Sequence, residues 1–151
     1  MKTQKTCSPE TRISKSYSET FNLGNELGLV IKPPVLIGLS GDLGTGKTVF
    51  VKGIASALKV QELVTSPTFL GISEYYSGKF PLIHMDFFNK VVEQKLIDVY
   101  LHKKSVLVIE WIENFSSVFN KKLSADICVY IKLGCKENER EITVYQVPCF
   151  T

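Results

Sequence analysis

Arginine is almost missing from this sequence. Of its 18 basic residues only Arg12 and Arg140 are arginines, so any step that needs a rigid guanidinium fork on a phosphate has few candidates in the chain. Arg12 falls in an N-terminal tail and Arg140 in a turn between edge strands, and neither has an evident claim on a phosphate site. The basic residues exceed the 15 acidic ones by only three, too small a surplus to imply a nucleic-acid footprint by itself. The histidines stop at His84 and His102, and Cys7, Cys128, Cys135 and Cys149 contain no CxxC pair. No zinc site is expected, and free thiols in a reducing compartment follow. No apolar run approaches the roughly 20 residues that span a bilayer, and the polar start, Met1 to Thr6, has no apolar core of a signal peptide. A cytoplasmic protein with no membrane contact is the expectation. At 151 residues the chain has room for one domain with a substantial core.

The apolar residues that are present fall into strand-length runs and helical spacings. Residues 1–16 read as a polar tail or a short first strand, and residues 17–151 as a single domain. Phe21, Leu23, Leu27, Val30 and Ile31 predict a helix from about Ser18, its plausible cap, which Gly24 and Gly28 weaken by up to ~1 kcal/mol each relative to alanine. Pro33 and Pro34 end it. The continuous apolar run Val35 to Leu39 predicts a strand covered on both faces, and Phe50, Val51, Ile54, Ala55 and Leu58 predict a helix over 48–58. Residues 69–76 and 80–87, around Ser77-Gly78-Lys79, predict a hairpin. Val92, Leu96, Val99 and Tyr100 predict a helix over 91–100, Val106 to Ile109 a second apolar strand, and residues 127–133 and 141–147 two antiparallel edge strands. The alternation of strand and helix implies an α/β sandwich with a mixed, partly parallel sheet, and with the loop that follows its first apolar strand the expected fold is a P-loop NTPase-like three-layer sandwich.

Between the first apolar strand and its helix lies Gly41-Asp42-Leu43-Gly44-Thr45-Gly46-Lys47-Thr48, a full phosphate-binding loop in the context that confirms it. Glycines let successive backbone N–H groups turn inward around phosphate oxygens, and the following helix adds its positive end. Lys47 then reaches the terminal phosphates, and the Thr48 hydroxyl ligates Mg²⁺. Mg·ATP is the expected ligand. Such a loop also needs a carboxylate from a neighbouring strand, and both Glu110, ending Val106 to Ile109, and Asp86, ending Pro81 to Met85, stand at carboxyl ends where ligands of such sheets sit. Trp111 is a candidate pocket wall or a core residue. Thr65-Ser66-Pro67-Thr68 suits a switch that senses the γ-phosphate, and equally an ordinary Ser-Pro turn. Lys103-Lys104 and Lys121-Lys122 read as solvated faces, with contact to tRNA or an acidic partner as the other use.

A guanine-reading Asn-Lys-x-Asp segment is absent, which disfavours a GTPase. A small-molecule or nucleotide kinase remains the competitor, since size and loop fit, although its cations would have to be lysines or come from a partner.

Taken together, Gly41 to Thr48, Ser66-Pro67-Thr68-Phe69, His84-Met85-Asp86-Phe87-Phe88 and Ile109-Glu110-Trp111 resemble the TsaE family, the P-loop ATPases of bacterial tRNA threonylcarbamoyladenosine biosynthesis, in order and in spacing. The likeness runs from about Ser18 through the terminal hairpin. It implies a partner-dependent ATPase that joins TsaD and TsaB homologues, resets that pair between turnovers, and meets tRNA only through the complex. It assigns Gly41, Asp42, Leu43, Gly44, Thr45, Gly46, Lys47, Thr48, Thr68 and Trp111 to the nucleotide, Thr48 and Glu110 to Mg²⁺, and Lys47, Asp86 and Glu110 to catalysis. Two positions depart from the family pattern. Phe88-Asn89 stands where the family usually has Tyr-Arg, and Ile112 where it tends to have Pro.

Overall fold

The apolar run after Pro34 becomes a central strand, and the sheet is built outward from it. In the computed structural model, which describes residues 8–146, the chain order is β1 (Glu10–Ser14), α1 (Tyr17–Val30), β2 (Val35–Ser40), α2 (Lys47–Ala57), β3 (Ile72–Tyr75), β4 (Leu82–Asp86), α3 (Gln94–His102), β5 (Val106–Glu110), α4 (Asn114–Phe119), β6 (Ile127–Leu133) and β7 (Arg140–Gln146). The strands form one sheet in the order β1-β7-β6-β2-β5-β4-β3. Strands β6, β2, β5 and β4 run parallel, while β3, β7 and β1 pair antiparallel at the two sides.

Alternation along the parallel strands sorts the core into two layers. Ile37, Leu39, Val106 and Val108 face α1 and α2, packing with Leu27, Phe50, Val51 and Ile54. Leu36, Leu107, Ile109, Ile83 and Met85 face α3 and α4, packing with Ile97, Tyr100 and Phe115. The result is the P-loop NTPase-like three-layer sandwich with a mixed, partly parallel sheet. No helix among the described residues is long and apolar enough to cross a membrane.

Several local boundaries differ from the pattern reading, each for a physical reason. Residues 10–14 are a strand, because each of them finds a pairing partner on β7, Glu10 opposite Val144 through Ser14 opposite Arg140. With β1 outside it, β7 is an inner strand and β6 lies deeper still; neither is an edge. The cap of α1 is Ser16, not Ser18: its hydroxyl accepts from the Glu19 N–H at 3.1 Å, while the Glu19 carboxylate accepts from the Lys15 N–H at 2.7 Å. The Ser16-x-x-Glu19 spacing is that of a capping box, two residues before the cap expected from the sequence, with the carboxylate reaching the N–H just before the cap. The first hairpin strand starts at Ile72, because the Gly71 N–H donates to the Pro67 carbonyl at 2.6 Å and closes a turn over Thr68 to Leu70. Helix α3 begins at Gln94 rather than near Val91, and α4 has no counterpart in the periodicity reading. At six residues it is too short to show one.

The glycines of α1 are there for its neighbour. A Cβ on Gly24 would lie 2.0 Å from the Phe50 carbonyl oxygen, and one on Gly53 of α2 would lie 2.0 Å from that of Phe21. The two helices therefore touch backbone to backbone, and the local propensity cost is offset by a close approach that alanine forbids. Gly24→Ala should destabilise the chain by about 2 kcal/mol, an overpacking cost reduced by the helix propensity that alanine restores. In thermal unfolding that is a drop of roughly 4–8 °C. An unchanged midpoint would show that the helices separate freely.

Candidate functional site

Gly41 to Thr48 links the carboxyl end of β2 to the start of α2. The N-cap of α2 is Gly46 at φ 102°, and Gly44 stands at φ 78°, a region where L side chains are strained. Thr45 closes the loop internally: its N–H and hydroxyl both donate to the Asp42 carbonyl, at 3.3 and 2.9 Å. No side chain caps α2, and the N–H groups of Gly44, Gly46, Lys47 and Thr48 find no acceptor among the described residues. A helix start with that many open donors carries the positive end of the helix dipole. Such a cradle fits phosphate oxygens.

Lys47 is buried, and its Nζ donates to the carbonyl oxygens of Gly41 at 2.6 Å and Asp42 at 3.0 Å. The same ammonium lies 5.1 Å from the centre of the Trp111 ring, within cation–π range. Trp111 adopts φ 55° directly after β5, donates its N–H to the Leu39 carbonyl at 3.2 Å and packs against Phe88 at a centroid distance of 5.2 Å. The strained turn holds the indole against the phosphate loop. Sequence reading placed Lys47 on the loop; it did not anticipate that the side chain is buried.

The carboxylates meet because their strands end in register. Asp86 of β4 and Leu39 of β2 both pair with Glu110 of β5, so Asp86 and Glu110 stand side by side just before the loop begins at Gly41. Both are buried. Asp86 is fully engaged: Oδ2 accepts from the Thr68 hydroxyl at 3.1 Å, and Oδ1 from the Phe88 N–H at 2.9 Å. Ser66 Oγ in turn donates to Thr68 at 2.6 Å. The Ser66-Pro67-Thr68 segment is thus tied to the acid by its hydroxyls, which an unrelated Ser-Pro turn would not need. Glu110 has a different partner, His84 of β4, whose Nε2 lies 2.9 Å from Oε1.

The donor set fits Mg²⁺ with a nucleotide. The half-buried Thr48 hydroxyl has no hydrogen-bond partner among the described residues, and two carboxylates stand beside the loop. No group of three or more His, Cys, Asp or Glu is arranged to hold a metal among the described residues. A loop-bound Mg²⁺ asks for less, since it keeps waters and takes most other ligands from phosphate.

Two features escaped the sequence. Arg140 is the first residue of β7 rather than part of the turn, and it does reach the loop, which corrects both expectations. Its Nε donates to the Thr45 carbonyl at 2.9 Å and its Nη1 to the carbonyls of Glu137 and Glu139, so the start of β7 is tied to the 41–48 loop. Arg12 does not approach; it pairs with Glu26 of α1. Beside Arg140 a cavity of about 400 Å³ opens, lined among others by Ser16, Tyr17, Thr20, Gly46 and Val49. Only the pairing of β1 with β7 assembles these residues, and no motif announced them. Lys103, Lys104, Lys121 and Lys122 are exposed.

Residues 14–142 match the family model for the threonylcarbamoyl adenosine biosynthesis protein TsaE. The chain is 37% identical over 127 residues to the tRNA threonylcarbamoyladenosine biosynthesis protein TsaE of Bacillus subtilis strain 168, covering 83% of this chain and 78% of that protein. It is 34% identical over 136 residues to the TsaE protein of Aquifex aeolicus, covering 89% and 94%. The chain belongs to the TsaE family. The crystal structure of Bacillus subtilis YdiB superposes at a TM-score of 0.78 and 30% identity over 93% of this chain and 87% of that one, so the likeness to that structure extends to the whole sandwich. Phe88 packs against Trp111 with the two rings tilted by 52°, a contact that needs the ring and not a phenol.

Proposed function

We propose that this chain binds Mg·ATP on the 41–48 loop and hydrolyses it as the ATP-driven component of the tRNA threonylcarbamoyladenosine machinery, resetting the pair formed by the TsaD and TsaB homologues between turnovers. The observation that carries this reading is the ring of open N–H donors at Gly44, Gly46, Lys47 and Thr48 beside the paired carboxylates Asp86 and Glu110, in a chain of this family.

The phosphates lie in the N–H cradle, and the nucleoside extends into the cavity between Tyr17 and Arg140. Lys47 leaves the carbonyls of Gly41 and Asp42 for the β- and γ-phosphates, and its exchange of partners is coupled to Trp111. Thr48 and Glu110 would hold Mg²⁺, which would supply charge to offset that building between the phosphates. Asp86 keeps the Ser66-Pro67-Thr68 segment beside the γ-phosphate, so the segment's conformation answers to whether that phosphate is present.

A guanidinium aimed at the reacting phosphate is the missing part. Arg140 spends its Nε and Nη1 on backbone carbonyls, and Asn89 occupies the position where the family usually has arginine. A supplied cation of this kind contributes ~10³ to 10⁵ in rate. The isolated chain should therefore turn ATP over on the order of minutes or more slowly, and the TsaD and TsaB homologues together should raise that rate roughly 10³-fold. Steady-state phosphate release from the purified chain, alone and with both partners, decides this. Fast turnover without partners would count against the incomplete site, and phosphorylation of a small acceptor would make the protein a kinase.

A further inference from the structure

His84 is the most deeply buried titratable residue near the site, at 0% exposure, and nothing so far has given it a task. It lies on β4 two residues before Asp86, on the same face of the sheet, and is in register with Val108, two residues before Glu110. Its Nε2 reaches Glu110 Oε1 at 2.9 Å. Its Nδ1 is buried and is the only such side-chain nitrogen or oxygen without a hydrogen-bond partner among the described residues. Facing an ionised carboxylate, which can only accept, Nε2 is the nitrogen that donates. A second proton on Nδ1 would be a buried donor with nothing to accept it, a costly arrangement. The ring is therefore held as the Nε2–H tautomer, with its donor aimed at Glu110 and its bare nitrogen turned into the core.

We infer that His84 is a positioning residue for ATP hydrolysis: its Nε2–H fixes one oxygen of Glu110, which sets the direction of the other toward the metal and the attacking water. This rests on the proposed ATPase reading and deepens it. Glu110 is the last residue of β5, and Trp111 beyond it turns sharply at φ 55°, so the backbone alone leaves the carboxylate free to rotate about its side-chain torsions. Asp86 does not supply the restraint. Both of its oxygens are engaged by Thr68 and Phe88, and no bond joins it to Glu110 among the described residues. His84 is the one described side chain that fixes Glu110. Groups that orient a metal-binding side chain in this way typically contribute 10- to 100-fold to activity or metal affinity.

Three variants separate this role from packing. His84→Gln places an amide donor where Nε2 stood, His84→Asn retains an amide but withdraws the donor from Glu110, and His84→Phe fills the volume without a donor. With the TsaD and TsaB homologues present, His84→Asn and His84→Phe should lower kcat about 10- to 100-fold with KM for ATP changed less than about threefold. His84→Gln should recover most of the loss. In the apo chain, side-chain ¹⁵N spectroscopy should show His84 protonated on Nε2 and bare on Nδ1, and thermal unfolding identifies any variant that fails to fold.

Turnover in His84→Asn equal to wild type would overturn the inference, as would a His84→Gln variant no better than His84→Phe, or an Nδ1–H tautomer. If His84→Phe does not fold, the Asn and Gln pair decides. A wild-type chain that binds ATP but never hydrolyses it, with or without partners, overturns the proposed function and the positioning role with it. Wild-type turnover matched by His84→Asn overturns the positioning role alone.

Discussion

Lys47→Ala should weaken nucleotide binding by roughly a hundredfold or more and leave the sandwich folded. The side chain donates to two carbonyls of its own loop, so its removal should cost roughly 1–3 kcal/mol in stability, less than unfolds a domain of this size. Against the nucleotide the loss is larger. A lysine that bridges two phosphates makes charge-assisted hydrogen bonds of about 1.5–3 kcal/mol each, so affinity should fall by roughly a hundredfold or more at 1.4 kcal/mol per decade. Calorimetry with a non-hydrolysable ATP analogue measures it directly. Trp111 supplies an independent check, because it is the only tryptophan and Lys47 Nζ lies over its ring. The analogue should change its fluorescence in the wild-type chain by drawing the ammonium away, and should leave Lys47→Ala unaltered. Unchanged affinity in the variant would remove the loop from nucleotide binding.

What could be read from the residues alone followed the range of the interactions involved. Strands β2 and β5 were legible because burial on both faces leaves unbroken apolar runs, Val35 to Leu39 and Val106 to Ile109. The loop was legible because its chemistry needs residue types at fixed short spacing. Glu110 and Asp86 followed from the rule that ligands meet the carboxyl ends of parallel strands. Arg140 was misjudged because its relation to the loop is made by the tertiary fold: β7 begins at Arg140, whose guanidinium reaches the Thr45 carbonyl across 95 residues of chain. Gly24 reads as a defect of α1 until Phe50 is seen against it. His84 reads as one residue of an apolar strand, and only the register of β4 on β5 brings it to Glu110. Contacts between residues far apart in the chain leave no local pattern, and the cavity beside Tyr17 is made entirely of them.

Glu110→Gln should reduce turnover with both partners by roughly 10²- to 10³-fold, the range for a group that meets charge as it develops, and leave ATP affinity within about threefold. The substitution is conservative where structure is concerned. The glutamine carbonyl oxygen can still accept from His84 Nε2, so the buried pair keeps its hydrogen bond and the side chain its volume. Only the negative charge is lost, and with it the hold on Mg²⁺ and the attacking water proposed for Glu110. Asp86→Asn is not equivalent, although it removes the same charge one strand away. Asp86 accepts two hydrogen bonds, from Thr68 and from the Phe88 N–H, and asparagine can accept with its oxygen alone. One of those donors would face an NH₂ group, which should release the Ser66-Pro67-Thr68 segment as well as weaken the electrostatics. Measured as a cycle with both single variants and the double variant, the losses should fall well short of additive, because a misplaced segment cannot use a correctly charged Glu110, nor an intact segment a neutral one. Full additivity would mean that the two acids act separately, and an equal loss of affinity and turnover in Glu110→Gln would make that residue a binding group with no part in the chemical step.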